Sequence, residues 1–248
     1  VRGCYTPLAH GRRSRNTEVL LAEAERVDVH GRQVTFTDGA ALGYDYLLIA
    51  TGARHSYFGN DRWEPLAPGL KSLEDALDIR RRVLLAFERA ERETDPVRRH
   101  AYLTFVVVGG GPTGGEMAGA VAEIRRYALR RDFRHIDPGE ATVMLLEGGP
   151  RLLTSYPPNL SDEAKLELRK LGVEVRTEML VTDIRPGSVA AAGWVIPTQT
   201  VIWAAGNTAS PMLKTLGTPL DHAGRAIVEP DCTIPGHPEI FVLGDAAA

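Results

Sequence analysis

The sequence predicts an α/β fold built on a doubly wound parallel sheet, and three observations predict it. Residues 105–176 alternate apolar strand-like runs with helical patterns in the order β-α-β-α-β. The first of those strands runs straight into a glycine turn and then a long helix. A stretch of short strands ending in LLIATG (47–52) is echoed by one ending in VIWAAG (201–206), as two domains of one design would produce. With 248 residues and about 150 residues per domain, the chain holds between one and two domains.

Taken in order, residues 17–52 read as short strands. TEVLLAEAERVDV is followed by RQVTF, an Asp38-Gly39 turn of the hairpin kind, a short ALGY and the apolar YLLIA. The last run ends in Ala50-Thr51-Gly52, small residues where the backbone must turn. Ser72 and Asp75 fit a capping box, and Leu73, Ala76, Leu77, Ile79, Val83, Leu84 and Phe87 recur at helical spacing behind it. Arg80-Arg81-Arg82 within that helix reads as a solvated face, and residues 94–100 as a linker. Phe105–Val108 is a buried strand and the helix after the glycine turn is expected to reach Arg131. Residues 132–140 form a loop, TVMLLE (142–147) a second strand, 161–171 a helix opening at Ser161, and GVEVR (172–176) a third strand. Weaker strands fill 178–197; TVIWAAG (200–206), GRAIVEPD (224–231) and EIFVLGD (239–245) complete the chain.

The glycine turn, Gly109-Gly110-Gly111-Pro112-Thr113-Gly114, fits G-x-G-x-x-G in its required context of strand before and helix after. That pattern asks for a tight turn at Gly109, backbone approach to a pyrophosphate at Gly111 and close helix–strand packing at Gly114. The helix N-terminus adds free N–H groups and the positive end of its dipole. An acid at the end of the second strand is needed for a ribose, and Glu147 supplies it, 33 residues past Gly114 because the helix and loop between are long. Gly244-Asp245 ends an apolar strand, where a carboxylate can accept from sugar-like hydroxyls or merely form a turn.

Other chemistries are absent. There is no Gly-Lys pair for a P-loop, no His-Glu for a zinc protease helix, no G-x-S-x-G and no Tyr-x-x-x-Lys. A net charge of −3 gives no reason to bind nucleic acid. No apolar run approaches the ~20 residues that span a bilayer, and the first 13 residues lack an apolar signal core. Cys4 and Cys232 form no Cys-x-x-Cys, so no dithiol relay is expected and a reducing compartment is the default. The chain opens on Val1 and stops directly after a strand-like run, so both ends are expected to be cut points in a longer protein.

YDYLLIATGA, VVVGGGPTGGEMAGA, VIWAAG and IFVLGD, in this order, resemble the two-dinucleotide-binding-domain flavoproteins of the pyridine nucleotide-disulfide oxidoreductase-like superfamily. More narrowly the chain resembles type II NADH dehydrogenases, the single-subunit NADH:quinone oxidoreductases. ATGARHSYFGNDRWEPLAPGLKSLEDALDIRRRVLLAFERAE, RRDFRHIDPGEATVMLLEGGPRLL and GHPEIFVLGD carry that likeness. The resemblance implies a Rossmann-like FAD/NAD(P)-binding fold with a complete NADH-binding domain (100–215) inserted in an incomplete FAD-binding domain (1–99 with its linker helix, and 216–248). It implies FAD and NADH, hydride transfer from NADH to flavin, and electrons passed to a membrane quinone by a protein peripheral on the cytoplasmic face, with room for a homodimer. Gly109, Gly110, Gly111, Pro112, Thr113 and Gly114 would cradle the NADH pyrophosphate, Glu147 its adenosine ribose, and Ala205-Gly206 would approach NADH. Ala50-Thr51-Gly52 and Gly244-Asp245 would approach FAD, with Asp245 on the ribityl chain. Glu116, on the first turn of the helix, matches a glutamate near the nicotinamide–flavin contact; its bland alternative is an acid favoured by the helix dipole. The superfamily's first G-x-G-x-x-G would lie before Val1 and its quinone pocket after Ala248, so the 248 residues alone are expected to lack FAD and activity. Gly115 stands where the family carries a larger apolar residue, at a cost to the helix of about 1 kcal/mol relative to Ala. Two alternatives remain: a flavin-dependent NAD(P)H reductase of a protein electron carrier such as ferredoxin or rubredoxin, and a redox-inert NADH-binding sensor or interaction module.

Overall fold

In the computed structural model, residues 18–128 and 132–248 are described; Cys4, the segment before Glu18 and Arg131 lie outside them. From the N-terminal side come β1 (Ala24–Asp28), β2 (Gln33–Phe36), β3 (Ala41–Gly43), β4 (Leu47–Ile49) and β5 (Ala53–His55). Then follow α1 (Leu73–Arg92), α2 (Pro96–Tyr102), β6 (Thr104–Val108), α3 (Pro112–Glu123), β7 (Thr142–Leu146), α4 (Pro158–Lys170) and β8 (Val173–Arg176). Shorter strands complete the order: β9 (Val181–Arg185), β10 (Ser188–Ala191), β11 (Trp194–Pro197), β12 (Thr200–Trp203), β13 (Asn207–Ala209), β14 (Thr233–Ile234) and β15 (His237–Val242).

The chain divides into two units, one of residues 56–206 and one formed by residues 1–55 together with 207–248. These boundaries differ from those expected at 99/100 and 215/216, and packing gives the reason. Ile79, Val83 and Phe87 of α1 share a core with Phe105, Val107 and Ile202, and the Phe87 and Phe105 rings lie 5.1 Å apart. Met212, Leu213 and Leu216 instead join Val27, Ile49 and Ile240.

Within residues 56–206, β12, β6, β7 and β8 form a four-stranded sheet in that order, parallel throughout. One face, with Phe105, Val107, Val143 and Leu145, packs against α1, α3 and α4. The other, with Val106, Val108, Met144, Leu146 and Trp203, packs against the antiparallel meander β9-β10-β11. Burial on both faces is why β6 and β7 read as unbroken apolar runs. The capping box holds: Ser72 Oγ accepts the Asp75 N–H at 3.1 Å and Asp75 Oδ2 accepts the Ser72 N–H at 2.9 Å. Arg80 and Arg81 are exposed, and Arg81 and Arg82 both pair with Asp78.

Four sequence expectations are corrected. The expected linker 94–100 contains most of α2, started by Asp95, whose side chain accepts the Val97 N–H, and by Pro96 at the first helical position. α4 begins at Pro158, not Ser161, again with proline opening the helix; Ser161 Oγ donates to the Leu152 carbonyl at 2.6 Å. Among the described residues, 224–231 enters no sheet, because only Ala226 makes bridges. The first strand begins at Ala24, and Val19, Leu20 and Leu21 before it are exposed. After Glu123 the helix continues as a π-turn, Ile124–Ala128.

In the other unit, β1-β2-β3 is an antiparallel meander whose second turn holds Gly39 at φ +86°. β15 lies between β14 and β4 and pairs with β4 in parallel, and β5 pairs with β13.

Candidate functional site

The helices α3 and α4 carry the chain from β6 to β7 to β8, whereas β12 lies on the opposite side of β6. The strand order therefore reverses beside β6, and the crevice at the carboxyl ends there is where ligands bind in open α/β sheets. Gly109 takes φ +111°, and a Cβ on it would stand 2.6 Å from the main chain of Ala204 and Ala205. A Cβ on Gly114 would collide with the Gly109 carbonyl, so helix and turn meet as backbone. Gly111 differs: it caps α3 with an ordinary extended backbone (φ −74°), and a Cβ there would meet nothing within 4 Å. It faces open space at the end of a helix, with Pro112 and Thr113 exposed on the first turn. The geometry asked of Gly109, Gly111 and Gly114 by the motif is present.

Glu147 is the first residue past β7. Its carboxylate accepts the N–H of Gly110 and of Gly149, each at 2.6 Å, which ties the glycine turn to the end of the neighbouring strand. Arg151, the cation nearest in sequence, donates to the carbonyls of Leu153, Thr154 and Tyr156. Beside the turn, a groove of ≈ 620 Å³ runs between α3 and α4, walled by Leu152, Leu168 and Leu171. Gly115 and Gly119 leave it open, and a Cβ on Gly115 would be no nearer than 4.0 Å to Leu168. Glu116 is exposed and also lines this groove. It is the fifth residue of α3 and so lies beyond the first turn, a correction to the sequence reading.

At the end of β12, Ala204 and Ala205 lie next to the glycine turn through the Gly109 contact, and Gly206 follows them. Four aromatic residues absent from the sequence reading of the site frame this end. Trp203 is 3% exposed; Tyr57 stacks on it with ring centroids 5.2 Å apart, and Trp63 lies at 5.7 Å. Phe58 lies over Gly206 with its ring edge-on to Trp203. The sequence holds one cue, the Tyr57-Phe58-Gly59 turn, but nothing local says that Tyr57 meets Trp203, far along the chain.

In the other unit, pairing of Val242 with Ile49 sets the ends of β15 and β4 side by side. Ala50-Thr51-Gly52 and Gly244-Asp245 are thereby brought together at adjacent parallel strand ends. Gly52 (φ +63°) and Gly244 (φ +68°) both face open space. Among the described residues no group of His, Cys, Asp and Glu is placed to hold a metal ion, and no helix is long and apolar enough to cross a membrane.

A parallel sheet with a glycine turn, a helix N-terminus and an acid at neighbouring strand ends defines the Rossmann-like class of α/β protein. The chain belongs to the pyridine nucleotide-disulphide oxidoreductase family, whose model matches residues 8–248. It is 44% identical to the type II NADH:quinone oxidoreductase Ndh of Mycobacterium tuberculosis, over 96% of this chain and 54% of that protein. It is 30% identical to an external alternative NAD(P)H-ubiquinone oxidoreductase of Arabidopsis thaliana mitochondria, B2, over 96% of this chain and 44% of that protein. The NDH2 of Plasmodium falciparum, solved in complex with NADH, has the same fold, with a TM-score of 0.82 at 24% identity over 92% of this chain and 50% of that one. The chain thus spans about half the length of the relatives it matches.

Proposed function

We propose that this chain supplies the NADH-binding unit and part of the FAD-binding unit of a type II NADH dehydrogenase. The whole protein takes hydride from NADH and delivers electrons to a quinone at a membrane surface. The observation that carries the reading is the set of three neighbouring strand ends. Glu147 follows β7, the glycine turn follows β6 and Ala205-Gly206 lie just past β12, so an extended dinucleotide can lie across them with its ribose, pyrophosphate and nicotinamide in that order. The backbone of Gly109–Gly114 and the start of α3 bind the pyrophosphate, since Gly111 leaves room for it. Glu147 accepts from the adenosine ribose. The role of Glu116 beside the nicotinamide rests on the family resemblance; its place on the groove wall keeps it close to the turn. Ala50-Thr51-Gly52 and Gly244-Asp245 fit FAD, because the two glycines leave space for close approach and Asp245 offers acceptors to the ribityl hydroxyls. When bound, FAD supplies the redox chemistry, and the chain supplies position and charge.

The test is Gly111→Val. Any residue adopts the Gly111 backbone and a Cβ there meets nothing within 4 Å, so the variant should fold as the parent does. The new methyls occupy the pyrophosphate position, and calorimetry should show NADH binding weakened by at least about tenfold, some 1.4 kcal/mol. Unchanged affinity refutes the site.

A further inference from the structure

Phe58 is 67% exposed, an unusual place for a large apolar ring beside a buried aromatic cluster. Its backbone is left-handed, at φ +51°, which a bulky side chain rarely adopts. Its neighbours enforce this. Tyr57 is 3% exposed and its hydroxyl donates to the Ala67 carbonyl at 2.8 Å. The Asn60 side chain donates to the carbonyls of Tyr57 and Phe58, and the Phe58 N–H donates to Ser56 Oγ. Ser56 is itself fixed to the end of the sheet, its N–H on the Gly206 carbonyl and its own carbonyl on Trp203 Nε1. The loop is therefore anchored on both sides while the ring between is turned outward over Gly206. A Cβ on Gly206 would stand 2.6 Å from the Phe58 Cζ, so only glycine lets the ring lie there.

We infer that the Phe58 ring is the wall against which the nicotinamide of the dinucleotide is seated, making Phe58 a positioning residue. The inference rests on the NADH reading of the cleft. Gly206 is at the β12 end of the path, the end left for the nicotinamide once Glu147 takes the adenosine ribose. A flat aromatic ring gains from an aromatic neighbour held rigid in advance, because no ordering is required on binding. Strained backbone retained at a ligand-facing position is the pattern expected of such pre-organisation.

ADP-ribose provides the test, since it keeps both riboses and the pyrophosphate and lacks only the nicotinamide. In the intact protein, Phe58→Ala should weaken NADH by about tenfold, as loss of one stacked ring does, and leave ADP-ribose affinity within about twofold. Phe58→Leu, which keeps apolar bulk for the case in which the alanine variant does not fold, should show the same selective loss, and Phe58→Tyr should restore NADH affinity. Equal loss of both ligands, or no loss of either, overturns the inference while leaving the NADH site standing. Parent protein that binds neither ligand defeats the NADH reading, and this inference with it.

Discussion

The Glu147 carboxylate accepts two N–H groups, from Gly110 and Gly149, and a carboxylate offers about four acceptor positions, so capacity remains for a ribose. The same charge repels a 2′-phosphate, and Arg151 is engaged by three main-chain carbonyls. NADH is therefore expected to bind more tightly than NADPH by about tenfold or more, because juxtaposed like charges are costly. Glu147→Gln should narrow that ratio. Equal dissociation constants for the two nucleotides in the parent protein would sink the assignment. The position of Glu147 was legible in the sequence, because an apolar strand and its last acidic residue are local features. Its bonds to Gly110 and Gly149, like the seat of Phe58 on Gly206, depend on strands meeting in space and leave no local mark.

Among the elements, the loop 132–140 is held by one residue of α1. Glu91 accepts the N–H groups of Arg134, His135 and Ile136, and lies 2.8 Å from His135 Nδ1. Desolvation pushes its carboxyl up, but the N–H groups of Arg134 and His135 and the His135 ring outweigh this and bring the pKa down from 4.5 to about 2. A lowered folded-state pKa contributes stability that is present above pH 4.5 and is lost as the pH falls toward 2. Urea midpoints followed across that window should show Glu91→Gln less stable than the parent at pH 6 and converging on it near pH 2, in line with the proton linkage. A constant gap across the window would contradict the clamp. The strands and helices of the central sheet were legible because burial on both faces leaves apolar runs that nothing else explains. α2 and the true start of α4 were not, although Asp95-Pro96 and Pro157-Pro158 carried the signal. Prolines that open a helix look, in a sequence, like prolines that break one.

For the whole molecule, both cores of residues 56–206 and every strand of their parallel sheet lie inside that stretch. Expressed alone, it should fold and melt in a single transition, as domains of this size do, and should retain NADH affinity. A broad or absent transition by circular dichroism would show that the other unit is needed for its fold. The sequence disclosed this arrangement through the echo of LLIATG in VIWAAG, since each run ends a parallel strand; the boundary residues stayed hidden, because no glycine- or proline-rich linker marks them. The hydrogen bond from Ser56 to the Gly206 carbonyl, 3.0 Å long, also has a bearing on the order of events as the chain is made. β4 must find β15, with Leu47 opposite Ile240, across a very long intervening stretch. If residues 56–206 fold first, that stretch stops behaving as a loop: its two ends emerge side by side, and His55 already stands opposite Asn207. Closure entropy falls by about 0.6 kcal/mol for each halving of the effective loop. The inserted unit thus serves as a splice, letting two distant pieces of chain pair as though they were neighbours.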